Sequence, residues 1–126
     1  YRHQPVGKGY GIDESLALAR ALIDAGVDLL DLSPSSDRVP GDLAAPFSEL
    51  GVPVIAVGEL DIVTRALEVL NEDRADLVAI GRGLIADPDW SNKVADGRFD
   101  DIVRCVQCDG CHEDLRRGDT VECRQW

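Results

Sequence analysis

Apolar and polar positions along this chain fall into blocks, and the repeat of the pattern changes from block to block. From Asp13 to Ala25 the apolar residues Leu16, Ala19, Leu22 and Ile23 recur at three- and four-residue spacing, which predicts a helix capped by Asp13 and closed by Gly26. Val27-Asp28-Leu29-Leu30-Asp31-Leu32 is short and rich in branched residues, and the polar, Pro-containing stretch Ser33 to Pro40 closes it; together they predict a strand and a loop. A weaker helix is expected from about Asp42 to Leu50. Val52-Pro53-Val54-Ile55-Ala56-Val57, stopped by Gly58, is apolar throughout, as in a parallel-sheet strand covered on both faces. Asp61 is placed to cap a helix reaching about Asn71, with Ile62, Ala66, Leu67 and Leu70 on one side. Leu77-Val78-Ala79-Ile80 then repeats the buried-strand pattern and ends on Gly81.

Strands beginning near residues 27, 53 and 77 recur about every 25 residues with a helical segment between each pair, a β-α-β rhythm. Parallel strands need crossovers, and these are overwhelmingly right-handed, so the architectures left are a doubly wound sheet or a piece of an eight-stranded barrel. Tyr1 to His3 reads as the end of one further strand, which brings the count to half a barrel, with residues such as Val54 and Ala56 expected on its interior.

Composition narrows the partners. The 126 residues are 44 % apolar and 29 % charged, as in a soluble globular chain, and the excess of 24 Asp and Glu over 13 Lys and Arg gives a formal net charge of −11. Such a charge repels a phosphate backbone, so neither nucleic acid nor an anionic membrane is an expected partner, and any bound phosphate must be held locally. No run reaches the roughly 18 apolar residues of a membrane span, and Tyr1-Arg2-His3-Gln4-Pro5 lacks the apolar core of a signal peptide. A cytoplasmic location is expected. The chain contains no Met and opens on a tyrosine, which suggests a piece of a longer protein.

All four cysteines lie between Cys105 and Cys123. Clustering of this kind, without an export signal, points to a metal or metal–sulfur site rather than a disulfide framework. The composition shift divides the chain into a β/α body, residues 1–103, and a Cys-rich tail, residues 104–126. Two residues separate each of the first three thiols and eleven separate Cys111 from Cys123, so Cys105, Cys108, Cys111 and Cys123 suit either a cubane iron–sulfur cluster or a tetrahedral zinc. Ligand softness does not choose between them, and free thiols or a disulfide are the plain alternatives. His112 is a further potential ligand, although a solvent-exposed loop histidine is the simpler reading.

The body offers a second chemistry. Two buried strands end in glycine, as Val57-Gly58-Glu59 and Ile80-Gly81-Arg82-Gly83. Ligands in α/β folds sit at the carboxyl ends of strands, where a residue without Cβ lets backbone N–H groups approach an oxyanion and a following helix adds its dipole. Gly58 and Gly81 together suit a phosphate cradle, with Arg82 supplying a charged fork; the bland alternative is a turn glycine, and an arginine paired with one of the many carboxylates of so acidic a chain. Asp28 and Asp31 have opposite strand parity and cannot work as a carboxylate pair, and a structural, hydrogen-bonded Asp31 is the simpler reading. Asp87-Pro88-Asp89-Trp90 resembles a helix start whose carboxylates act as caps, with Trp90 covering the junction of body and tail.

Gly26-Val27-Asp28, the strand Val52 to Gly58, the run Ala75 to Trp90 containing Gly81-Arg82-Gly83-Leu84-Ile85-Ala86-Asp87-Pro88-Asp89-Trp90, and the cysteines after it closely resemble one family. It is the Old Yellow Enzyme family of NADH:flavin oxidoreductases, in its iron–sulfur branch of 2,4-dienoyl-CoA reductase and trimethylamine dehydrogenase. The resemblance implies a (β/α)8 TIM barrel of which this chain supplies the C-terminal half, roughly strands five to eight. It implies FMN across the carboxyl ends of the strands, the phosphate at Gly58, Gly81 and Arg82, and Arg2 near the pyrimidine edge of the flavin, where a positive charge stabilises the reduced anion. It also implies that Cys105, Cys108, Cys111 and Cys123 hold a four-iron four-sulfur cluster. The chain departs from the branch at Asp109-Gly110, which put two residues rather than three between the second and third cysteines, and at Ser33-Pro34-Ser35-Ser36, where the family is richer in glycine.

The expected function is therefore the FMN- and cluster-binding portion of an NAD(P)H-linked flavin oxidoreductase, which transfers hydride through FMN and acts on a small organic substrate. The family's proton donors come largely from the other half barrel, so no catalytic acid is assigned, and this segment alone is expected to be inactive. A different class of reading is an assembly module: a half barrel that pairs with a missing N-terminal half or a second copy, keeps the phosphate cradle and holds a structural zinc. A flavin-free barrel for phosphorylated metabolites would use the same cradle but leaves the cysteines unexplained.

Overall fold

A computed structural model of the chain describes residues 11–33 and 43–126. The expected strand at Tyr1 to His3, Arg2 included, and the loop from Pro34 to Pro40 lie outside the described residues. Within them the elements run α1 (Ile12–Asp24), β1 (Leu30–Leu32), α2 (Ala45–Ser48), β2 (Val54–Val57), α3 (Val63–Asn71), β3 (Leu77–Ala79), α4 (Arg82–Ala86), α5 (Trp90–Ala95), a 3-10 turn (Phe99–Asp101) and α6 (Gly110–Arg117). The three strands form one parallel sheet in the order β1-β2-β3, so the β-α-β reading holds. Its register pairs Leu30 with Val54 and Leu32 with Ala56 on one side, and Ala56 with Val78 and Val57 with Ala79 on the other.

Paired positions in a sheet share a face, and the two faces of this sheet differ. Leu30, Val54 and Ala56 are buried in one cluster with Ala19 of α1, Phe47 of α2, Leu60, and Ala66 and Val69 of α3. Each fully buried Leu, Val or Phe contributes about 1.5–3 kcal/mol, which makes this helix-covered face the main source of stability. The opposite face carries Asp31, Ile55 and Leu77 in register and is open, with Leu77 49 % exposed. Val54 and Ala56, expected on a barrel interior, instead pack under the helices, and Ile55 and Val57 take the other side. A continuous apolar strand gives no parity by which to tell its faces apart.

Helix ends differ from expectation for local reasons. Gly11, not Asp13, precedes α1, and its N–H donates to Glu14 Oε2 at 2.9 Å. That leaves Asp13 and Glu14 in the first turn, where negative charge is favourable. Gly26 follows the helix at φ +101°, the left-handed state that glycine adopts most readily. Ile62 rather than Asp61 precedes α3, which buries Ala66 and Val69 while Leu67 faces outward. Asp76 takes the place of a ladder partner at the start of β2: its Oδ2 accepts the Val54 N–H at 2.8 Å, and its own N–H donates to the Val54 carbonyl at 3.0 Å.

Candidate functional site

The carboxyl ends of β2 and β3 lie side by side because the strands are parallel and Val57 pairs with Ala79. Their following turns therefore neighbour each other. Gly58 has φ +119°, which disfavours any residue with a Cβ, and Glu59 continues in the left-handed region at φ +47°. Gly81 is exposed at φ −94°, and a Cβ built on it would meet no atom within 4 Å, so open space stands directly before the turn. Two residues on, a Cβ at Gly83 would lie 2.3 Å from Asp61 Cβ. Gly83 thus serves close packing between the two turns, whereas the room for a ligand is at Gly81. This arrangement fits a phosphate group approached by backbone and by Arg82. The helix dipole adds little: α4 has five residues, and α3 begins only at Val63.

Arg82 is partly exposed, and its Nη1 donates to Asp109 Oδ1 at 2.9 Å. The paired-carboxylate alternative raised for this arginine is therefore realised, and it is realised from the Cys-rich tail. A second tie crosses nearby. Gln107 Nε2 donates to Glu59 Oε1 at 2.9 Å, while Arg65 Nη1 donates to Glu59 Oε2 at 2.5 Å. These hydrogen bonds, Gln107 first and Arg65 second, hold the Glu59 carboxyl below the ordinary glutamate range, with Arg82 adding attraction. Both glycine turns are thus clasped by the loop that carries the cysteines.

The structure does not bring the four thiols together as expected. Among the described residues no group of three or more His, Cys, Asp or Glu side chains is gathered to hold a metal ion, and all four cysteines are free. The loop does have one metal-knuckle trait: the Gln107 N–H points to Cys105 Sγ at 3.4 Å. The returning C-terminal segment, however, is held by a different bond. Arg124 donates to the buried Asp114 carboxylate, and its side chain lies against Gly110, where a Cβ would be 2.7 Å from Arg124 Cγ. An ion pair, not sulfur, closes this hairpin. His112 is exposed and lies 3.5 Å from Asp109 Oδ1.

The carboxylates of the Asp87–Trp90 stretch do not cap α5 as expected: Asp89 holds the N-cap position without a side-chain capping bond, and Asp87 serves otherwise. Asp87 is 3 % exposed, and its carboxylate accepts hydrogen bonds from Lys93 Nζ at 2.7 Å, the Val103 N–H at 2.8 Å and the Asp89 N–H at 3.1 Å. Lys93 first, then Val103, hold this carboxyl below the usual aspartate range against the opposing effect of burial. Asp87 thereby ties Val103, the residue just before the tail, to α5. Trp90 is buried, and its Nε1–H donates to the Asp61 carbonyl at 2.9 Å, so it joins α5 to the β2–α3 turn rather than covering the tail. Trp126, 70 % exposed, instead reaches from the tail to the body by donating to the Ala86 carbonyl at 3.0 Å. Asp31 is exposed, and Asp28 lies outside β1.

Glu59, Gln107 and Asp109 carry no mark of their clasping role in the sequence. Their contacts span 48 and 27 positions, and no local pattern marks them.

Residues 42–101 match the NADH:flavin oxidoreductase / NADH oxidase family. The chain is 35 % identical to the NADH oxidase of Thermoanaerobacter brockii over 119 residues, covering 82 % of this chain and 18 % of that protein. It is 28 % identical to the cinnamate reductase of Clostridium sporogenes, over 92 % of this chain and 20 % of that one. Among solved structures, the 6-hydroxypseudooxynicotine amine oxidase of Pseudomonas geniculata N1 superimposes with a TM-score of 0.72 at 25 % identity, over 87 % of this chain and 18 % of its own. The chain thus spans about a fifth of the length of these relatives.

Proposed function

Because this chain belongs to the NADH:flavin oxidoreductase / NADH oxidase family, we propose that it is the phosphate-binding half of an FMN barrel in an NAD(P)H-linked oxidoreductase acting on a small organic substrate. The observation that carries this reading is the pair of neighbouring turns, Gly58 at φ +119° and Gly81 facing open space, with Arg82 beside them. Backbone N–H groups and the Arg82 guanidinium hold the FMN phosphate, and the family resemblance assigns Arg2 to the flavin's pyrimidine edge. The chemistry supplied by the flavin is two-electron hydride acceptance and release.

The family resemblance assigns this chain strands five to eight, the three described strands being the later ones and Tyr1 to His3 the expected first. The open face of the sheet, bearing Ile55 and Leu77, is the barrel interior, completed by an N-terminal half barrel or a second copy. Substrate-binding and proton-donating groups belong to that other half, so residues 1–126 alone are inactive. Sequence spacing supports metal binding by Cys105, Cys108, Cys111 and Cys123, as does the Gln107 contact to Cys105 Sγ. As placed, these thiols do not form a ligand set.

Visible absorption and metal analysis of anaerobically purified protein test the reading. A yellow flavin spectrum is expected, with a broad brown shoulder if the cysteines carry an iron–sulfur cluster. A colourless protein containing zinc would favour the assembly module instead.

A further inference from the structure

We infer that Asp109 is a positioning residue for the phosphate-binding Arg82, and that it makes the cysteine loop and the phosphate cradle one unit. The inference rests on the reading that Gly58, Gly81 and Arg82 hold FMN, and adds a residue that this reading does not contain. Asp109 takes only Nη1 of the guanidinium, through a single oxygen at 2.9 Å. Nε–H and the Nη2 hydrogens form the other edge of the fork, which suits two oxygens of a phosphate. An unrestrained arginine samples many rotamers and loses that freedom on binding; one already tethered loses less.

The tether is itself fixed. Gln107, two residues before Asp109, bonds Glu59 on the neighbouring turn, so the loop is attached at both glycine turns. Glu59, Gln107 and Asp109 all have left-handed backbones, at φ +47°, +52° and +59°. Residues with a side chain rarely hold this conformation without support from their surroundings, and here three of the four residues making the two ties do so. Asp109 also lies beside Cys108, so whatever steadies Arg82 steadies the cysteine loop; linkage makes the effect reciprocal. In metal-free protein, bound FMN should therefore slow alkylation of Cys108.

The test is FMN and riboflavin binding by the full-length flavoprotein containing this chain, for the wild type, Asp109→Ala, Arg82→Ala and the double variant. The wild type should prefer FMN; equal binding of the two flavins would remove the cradle reading itself. Given that preference, Asp109→Ala should weaken FMN about three- to tenfold, the span of one modest hydrogen bond, and leave riboflavin unchanged. In the Arg82→Ala background the same change should add nothing, and Asp109→Asn, which keeps an acceptor oxygen, should fall between. In metal-free protein, FMN should protect Cys108 from iodoacetamide in the wild type and not in Arg82→Ala. An unchanged FMN-to-riboflavin ratio in Asp109→Ala would overturn the inference while leaving the cradle reading intact. So would tighter FMN binding, the mark of a carboxylate that competes with phosphate, or effects of the two substitutions that simply multiply. If Asp109→Ala fails to fold, Asp109→Asn carries the same comparison.

Discussion

Gly81 and Gly83 are two residues apart, yet alanine should act on them in opposite ways. At Gly83 the new methyl would stand 2.3 Å from Asp61 Cβ, 2.9 Å from Ile80 Cγ2 and 3.1 Å from Asp61 Cγ. Apolar carbons prefer about 3.5–4.0 Å, so the α4 backbone must move off the β2–α3 turn. Asp61 Cβ is fixed to its own backbone and cannot swing aside, and its carbonyl accepts the Trp90 indole hydrogen bond. Overpacking costs about 1–3 kcal/mol and the alanine helix preference returns up to about 1 kcal/mol. Loss of the Trp90 bond adds about 0.5–1.5 kcal/mol. The net expectation for Gly83→Ala is a loss of about 1–3 kcal/mol. At Gly81 nothing lies within 4 Å of the added methyl, so Gly81→Ala should alter stability by no more than about 0.5 kcal/mol. The methyl instead fills the space before the turn and should weaken FMN more than riboflavin. Urea unfolding followed by circular dichroism, with equal slopes as the check on two-state behaviour, measures the first effect, and flavin titration measures the second. Gly83→Ala unfolding at the wild-type midpoint, or Gly81→Ala being the less stable of the two, would refute the packing argument.

Acid should loosen the segment that leads into the tail. Asp87 has a folded-state pKa below its unfolded value of about 3.9, so its stabilising effect is complete above that value and is lost as pH falls through the folded one. Asp87→Asn should flatten the unfolding profile of the wild type below about pH 4, and identical profiles would contradict this. Trp90→Phe keeps most of the buried ring but leaves the Asp61 carbonyl without its donor; chemical denaturation should show a loss of about 1–3 kcal/mol. Replacing any one of Cys105, Cys108, Cys111 and Cys123 by Ser should lower bound iron or zinc, measured on anaerobically purified protein, with little change in unfolding of the β/α body. Absence of both metals from the wild type would remove that claim.

Much of the body could be read from the chain because its signals are local. Val54–Val57 and Leu77–Ala79 sit in apolar runs that end in glycine, and their spacing predicted the parallel sheet that is found. Helix starts were harder, since Asp13 and Asp61 look like caps while Gly11 and Ile62 occupy those positions. A cap depends on backbone geometry one residue either way, which composition does not fix. The clasp over the site was hidden for another reason. Asp109 reads as a spacer between cysteines, and only folding brings it to Arg82. Arg124 likewise lies beside Cys123 in the chain, where nothing marks it as the partner of Asp114.

The central claim is that Arg82 and the two glycine turns hold a phosphate, and it is tested most directly by the affinity of Arg82→Ala for FMN relative to riboflavin. Loss of a hydrogen bond to a charged group, about 1.5–3 kcal/mol, predicts FMN binding roughly ten- to a hundredfold weaker with riboflavin nearly unchanged. Equal weakening of both flavins, or no weakening of FMN, would contradict the account.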